Sequence, residues 1–214
     1  LLHTFTFPYP TYTDERVSAS AWVTDIDGKD QYKMQTVIAK QNGNMAAQGN
    51  TTVFLPTDGF KSDPLKEFEK DSDAETVSYK GLEVGQKAET DREFTKEDLE
   101  ERAHLTGDTN PIFISEDFAE ELGFRNNPIP SDLLGAMISD ILGTDLPGLG
   151  TNWLKQEFRF FAPAYVGDKI TAEVEITRIR PEKNLVNLRN RCSSSGGKKV
   201  LEGRSLVLVK DLKE

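Results

Sequence analysis

Cysteine and histidine are nearly absent from this chain: Cys192 stands alone, and His3 and His104 are the only imidazoles in 214 residues. A single cysteine closes no intramolecular disulfide, which fits a reducing compartment, and Cys192 reads as a small strand residue rather than a nucleophile. Two histidines about a hundred residues apart give no zinc-ligand spacing, so no metal is assigned, although a site built from carboxylates stays open. Long apolar runs are missing too. No stretch approaches the roughly 20 residues that cross a bilayer, and the N-terminus has neither a basic leader nor an apolar core, so a cytoplasmic location is expected and no membrane partner. Positive charge is also short, with 26 Lys and Arg against 36 Asp and Glu and a net charge of −10. Such a field opposes the counterion release that drives nucleic-acid binding, which removes nucleic acid as an expected partner. The hydrophobic fraction of 36% is still enough to build one large core or two small ones.

The chain contains an internal duplication. Phe5, Phe7, Pro10, Tyr12, Ala19, Thr24 and Ile26 match Phe158, Phe160, Pro163, Tyr165, Ala172, Thr177 and Ile179 at an offset of 153 residues. Gly43, Gly49 and Val53 match Gly197, Gly203 and Val207 at an offset of 154, so one residue has been added in a loop. Both copies alternate at period two, as in Val17-Ala19-Ala21-Val23 and Ile170-Ala172-Val174-Ile176, and Asn42-Gly43 and Gly196-Gly197 punctuate hairpins. Each copy therefore reads as an antiparallel meander. A helical region of about seventy residues precedes the second copy only, so the first meander is expected to pack on the second to hide its apolar face. Residues 57–76 are rich in Asp, Lys, Ser and Pro and read as a solvated linker with one helical turn at Pro64 to Lys70. The expected division is a strand-only unit over 1–56, the linker, and a complete unit over 77–214.

In that complete unit a short strand is expected near Val77 to Leu82. Thr95, with Asp98 three residues on, predicts the start of a helix that ends near Leu105. Ser115 opens another, which Gly123 terminates. Leu133, Leu134, Met137, Ile138, Ile141 and Leu142 give the widest apolar stripe, with Ser131 as expected N-cap and Gly143 at the end. Between the first two helices lies Thr106-Gly107-Asp108-Thr109-Asn110-Pro111-Ile112-Phe113, a carboxylate held beside an Asn-Pro turn. On its own, Asp108 is a turn or capping residue.

This segment resembles the signature of MaoC-like hydratases and dehydratases, in which Gly-Asp-x-Asn-Pro precedes a hydrophobic residue and a catalytic His. The resemblance covers roughly residues 77–209 and implies an α+β hotdog fold, an antiparallel sheet around a central helix, with the first copy as part of a second hotdog and the two assembled as a pseudo-dimer or larger homo-oligomer, since hotdog sheets usually pair edge to edge. It implies that Asp108 is the acid/base carboxylate, that Asn110 and Pro111 form the turn that aims it, and that Asn110, Phe113, Ser131, Asp132 and Leu133 border the substrate. It implies no bound cofactor. Two signature positions depart: Phe113 replaces the His, and Ser131-Asp132 stand where the family has His-Gly, whose backbone N–H polarises a thioester carbonyl.

The departures leave several readings open. Asp108 and Asp132 could form a carboxylate pair with one member protonated by a raised pKa. His104, four residues before Asp108, could stand in for the missing imidazole, or simply sit near a helix C-terminus; His3, the counterpart of Gln156, is weaker. Arg189, Arg191, Lys198 and Lys199 could meet a phosphate or form an ordinary solvated face. The expected function is interconversion of trans-2-enoyl and 3-hydroxyacyl thioesters of CoA or acyl-carrier protein, in a homo-oligomer or paired with another hotdog subunit. The alternatives are a catalytically degenerate acyl-CoA-binding or scaffold subunit and, more weakly, an acyl-CoA thioesterase.

Overall fold

Two antiparallel meanders meet edge to edge in one nine-stranded sheet. The computed structural model describes residues 1–28, 31–54 and 78–212; the expected linker over 57–76, with its helical turn, lies outside them. The first meander comprises β1 (Leu2–Thr6), β2 (Val17–Asp27), β3 (Gln31–Lys40) and β4 (Met45–Phe54). A small hairpin, β5 (Ser78–Tyr79) and β6 (Leu82–Glu83), leads to β7 (Lys87–Glu93). Four helices follow: α1 (Lys96–Thr106), α2 (Pro111–Ile114), α3 (Glu116–Glu121) and α4 (Ser131–Thr144). The second meander is β8 (Asn152–Phe160), β9 (Lys169–Arg180), β10 (Leu185–Ser194) and β11 (Lys198–Leu208). In space the sheet runs β2-β3-β4-β1-β8-β11-β10-β9-β7.

The duplication is written into the strand register. Where β1 pairs with β8, Thr4 lies opposite Glu157, its own counterpart at the 153-residue offset, and a pseudo-two-fold axis passes through that pair. His3 accordingly opposes Phe158, and Phe5 opposes Gln156. Phe5 then faces Gly49 across β1–β4 as Phe158 faces Gly203 across β8–β11. A Cβ on either glycine would strike a backbone carbonyl, Thr4 O or Glu157 O, and the ring of the facing Phe. The matched Phe and Gly are thus one packing device used twice, an aromatic ring lying over a strand glycine.

α4 accounts for the difference between the halves. Its Leu134, Met137, Ile138, Ile141 and Leu142 are buried, and the helix packs across β7, β8 and β9. Opposite it, Ile170, Ala172, Val174 and Ile176 of β9 and Val186, Leu188 and Cys192 of β10 are buried at alternate positions. Burial pushes the Cys192 thiol up to about 12, which leaves it inert as a nucleophile. The first meander joins the second through an edge rather than under a covering layer. β2 is exposed along its length, with Trp22, Val23 and Ile26 among the exposed apolar side chains.

Several boundaries differ from expectation. The strand near Val77 to Leu82 is two short strands turned by Lys80 and Gly81, both at positive φ. β7, for which no element was expected, is an edge strand whose backbone pairs with β9 on one side only. Pro130, not Ser131, is the N-cap of α4; Ser131 is its first residue and makes no side-chain cap, and the helix passes Gly143 to end at Thr144. The basic group on the second meander is matched by carboxylates: Arg189 lies 3.8 Å from Glu175, Arg191 3.8 Å from Glu173, and Lys199 3.0 Å from Glu202. Two of these pairs bridge β10 to β9 and the third lies within β11, so three of the four cations face carboxylates and the group reads as an ordinary charged face rather than a phosphate site.

Candidate active site

The site begins with the way α1 starts and stops. Thr95 Oγ1 accepts from the Asp98 backbone N–H at 3.2 Å while Asp98 accepts from the Thr95 N–H at 2.8 Å, a reciprocal cap. Leu99 and Ala103 anchor the helix in the core, and Arg102 lies on the border of that buried face. Gly107, with φ +72°, ends the helix. Asp108 therefore sits in the following loop, where Asn110 N–H donates to its Oδ1 at 3.2 Å and its own N–H donates to Thr106 Oγ1 at 3.3 Å. Asn110 in turn caps the unexpected one-turn helix α2, accepting from Ile112 N–H at 3.2 Å with Pro111 in the first position. Buried Asn127 donates to Ile112 O at 3.1 Å and ties this turn to the segment that enters α4.

Arg102 connects the two departures in the signature. Its Nη2 donates to Asp108 Oδ2 at 2.9 Å, and its Nε donates to both oxygens of Asp132 at 2.8 and 3.0 Å. The arginine side chain is 12% exposed, against 38% for Asp108 and 52% for Asp132. The guanidinium carbon lies 5.4 Å from the centre of the half-buried Phe113 ring, within cation–π range. Nη1 is out of solvent and has no hydrogen-bond partner among the described residues. The hydrogen bond from Arg102 holds the Asp108 carboxyl below its ordinary range. A carboxylate pair with one proton shared between Asp108 and Asp132 is therefore not what the site contains: a cation stands between them, and it favours the ionised form of Asp108.

His104 does not replace the missing imidazole. It is exposed on the last turn of α1, and the chain leaves the helix at Gly107 before Asp108, so the four-residue helical spacing does not extend to the carboxylate. His3 lies on β1 with Nδ1 3.4 Å from Thr51 Oγ1 and its ring 5.5 Å from that of Phe160. Burial lowers its pKa to about 4, so it is neutral at pH 7. Leu133 is half-buried and lines an open cleft of about 490 Å³ together with Thr90, Phe94, Ala136, Met137 and Asp140. Asp108, Asn110 and Phe113 do not border that cleft.

Arg102 and Asn127 hold the site together without belonging to any motif visible in the sequence. The signal for Arg102 was its place three residues after Leu99 and beside Ala103, the two α1 residues that are buried. Asn127 gave no comparable signal, since it stands in an Asn-Asn-Pro breaker cluster and its role depends on a contact 15 residues away.

Residues 80–202 match the pattern of the family described as "FAS1-like, dehydratase domain region". An (R)-specific enoyl-CoA hydratase of Aeromonas caviae is 36% identical over 131 residues, which cover 61% of this chain and 98% of that protein. A 3-hydroxybutyryl-CoA dehydratase of Methylorubrum extorquens is likewise 36% identical over 131 residues, covering 83% of its length. Among solved structures, a MaoC-like dehydratase superposes with a TM-score of 0.74 at 19% identity, covering 97% of this chain and 74% of that one. That likeness carries the fold alone, and it extends the hotdog architecture over both meanders.

Proposed function

The chain belongs to the FAS1-like dehydratase-region family of MaoC-like hotdog proteins, and from that membership we propose that it is an acyl-thioester hydratase/dehydratase interconverting trans-2-enoyl and 3-hydroxyacyl thioesters. The observation that carries the reading is the placement of Asp108: a carboxylate kept ionised, held by the Asn110 turn, and tied through Arg102 to the head of α4. In hydration, ionised Asp108 takes a proton from water as the water oxygen bonds to C3. The displaced electron pair collects on the thioester oxygen as an enolate, and the proton then passes from Asp108 to C2 as the carbonyl re-forms. Dehydration is the reverse. One carboxylate serves both proton transfers, so the absence of an imidazole lowers the rate by a factor of about 10² to 10⁴ relative to a site with two such groups. Asn110, Phe113, Ser131, Asp132 and Leu133 border the acyl thioester in this reading, with the backbone N–H of Asp132 at the α4 N-terminus as donor to the enolate oxygen. The substrates are thioesters of CoA or acyl-carrier protein, and the protein works as a homo-oligomer or with another hotdog subunit. The division into units over 1–56 and 77–214 belongs to the same proposal, supported by the family match over 80–202 and by the paired registers of the two meanders.

A specific observation favours the second reading, an acyl-CoA-binding or scaffold subunit: the side chain against Asp108 is Arg102, and the ring against that guanidinium is Phe113, neither of which exchanges protons at neutral pH. The test is to mix the purified chain with crotonyl-CoA and with butyryl-CoA, following enoyl absorbance and free thiol together. A hydratase removes the absorbance of the first and releases thiol from neither. Thiol release from butyryl-CoA would indicate a thioesterase, and no change in either signal would favour the scaffold.

A further inference from the structure

Asp132 stands at the start of α4, where the resemblance places glycine and where, on the proposed chemistry, an enolate oxygen gathers negative charge. A carboxylate there opposes that charge. The carboxylate is not free, however. Both its oxygens accept from Nε of Arg102, an arginine that comes from a different helix 30 residues earlier and simultaneously holds Asp108. The arginine side chain is mostly out of water while both carboxylates keep a solvent-facing side, so its cation has no charged partner among the described residues other than these two groups, and Nη1 is left with donor capacity that neither carboxylate uses.

We infer that Arg102 is a positioning residue for the reaction: it aims Asp108, and it cancels the Asp132 charge at the head of α4 so that the enolate oxygen is not repelled there. Arg102 and Asp132 are then a compensating pair, and neither substitution is neutral without the other. The inference rests on the hydratase reading of the same site.

A double-mutant cycle on crotonyl-CoA hydration tests it, with R102L, D132G and R102L/D132G beside the parent. Removing Arg102 alone exposes the enolate to Asp132, so R102L should lower kcat by about 10²-fold while KM changes less than about threefold, because the interaction matters in the transition state rather than in the bound substrate. D132G should raise kcat severalfold, and the double variant should recover at least about tenfold over R102L. A merely structural arginine would lower thermal stability without this rescue. R102K keeps the charge but not the fork and covers the case in which R102L fails to fold; it should fall between parent and R102L, with kcat about tenfold below the parent. A double variant as slow as R102L, or an R102K as fast as the parent, would overturn the inference while leaving the parent active. A parent inactive on crotonyl-CoA would overturn the hydratase reading and the inference with it.

Discussion

His3 holds a neutral imidazole where an unfolded chain would hold one that protonates near pH 6.5. Burial moves the folded pKa to about 4. Between those two values the unfolded state binds the proton and the folded state does not, so the stabilisation is complete above pH 6.5 and is lost as pH falls towards 4. A shift of this size corresponds to roughly 3 kcal/mol at full expression. The expected outcome is that the Tm difference between pH 7 and pH 4.5 is larger for the parent than for H3F, which keeps a ring beside Phe160; equal losses in the two proteins would contradict it. The residue scale is also where the sequence was least readable. Asp108 could be recognised because its neighbours form a turn with its own chemistry, whereas Arg102, preceded by two glutamates, has the composition of a solvated helix face. Its partner Asp132 is brought to it by the packing of α4, which no local pattern encodes.

Among the elements, α4 and β9 were legible because burial on one face imposes a period, 3.6 in the first and 2 in the second. β7 was not, since an edge strand paired on one side tolerates Lys, Glu, Asp and Arg at most positions. α2 left the Asn-Pro signature of a helix start but is a single turn, too short for any periodicity. The paired glycines give a sharper test of how the strands fit. In G203A the new Cβ meets the Glu157 carbonyl and the Phe158 ring, and Phe158 is buried beneath Gly135 of α4, so neither neighbour yields easily. In G49A the corresponding ring, Phe5, is only half-buried. Urea denaturation should therefore find G203A destabilised by about 1–3 kcal/mol and G49A by less. A G203A protein as stable as the parent would show that both the β8 backbone and the ring are free to move and that the close approach is not a constraint.

At the scale of the whole molecule, the duplication was readable because matched residues recur at a nearly constant offset, and the pseudo-two-fold at Thr4 and Glu157 is the same fact expressed in register. How the halves join was legible in part: the apolar face of the first meander suggested packing on the second, whereas the resemblance implied sheets paired edge to edge, and the seam between β1 and β8 that continues the sheet is the latter. Only the second meander carries a central helix among the described residues, and the proposed chemistry therefore rests on one site, the loop holding Asp108 against the head of α4. The most direct measurement is the loss of enoyl absorbance when crotonyl-CoA is mixed with the parent and with D108N. Slow but measurable hydration by the parent is expected, with a fall of at least about 10²-fold in D108N at unchanged Tm. A parent that hydrates equally well without the Asp108 carboxylate, or one that does not hydrate at all, would contradict it.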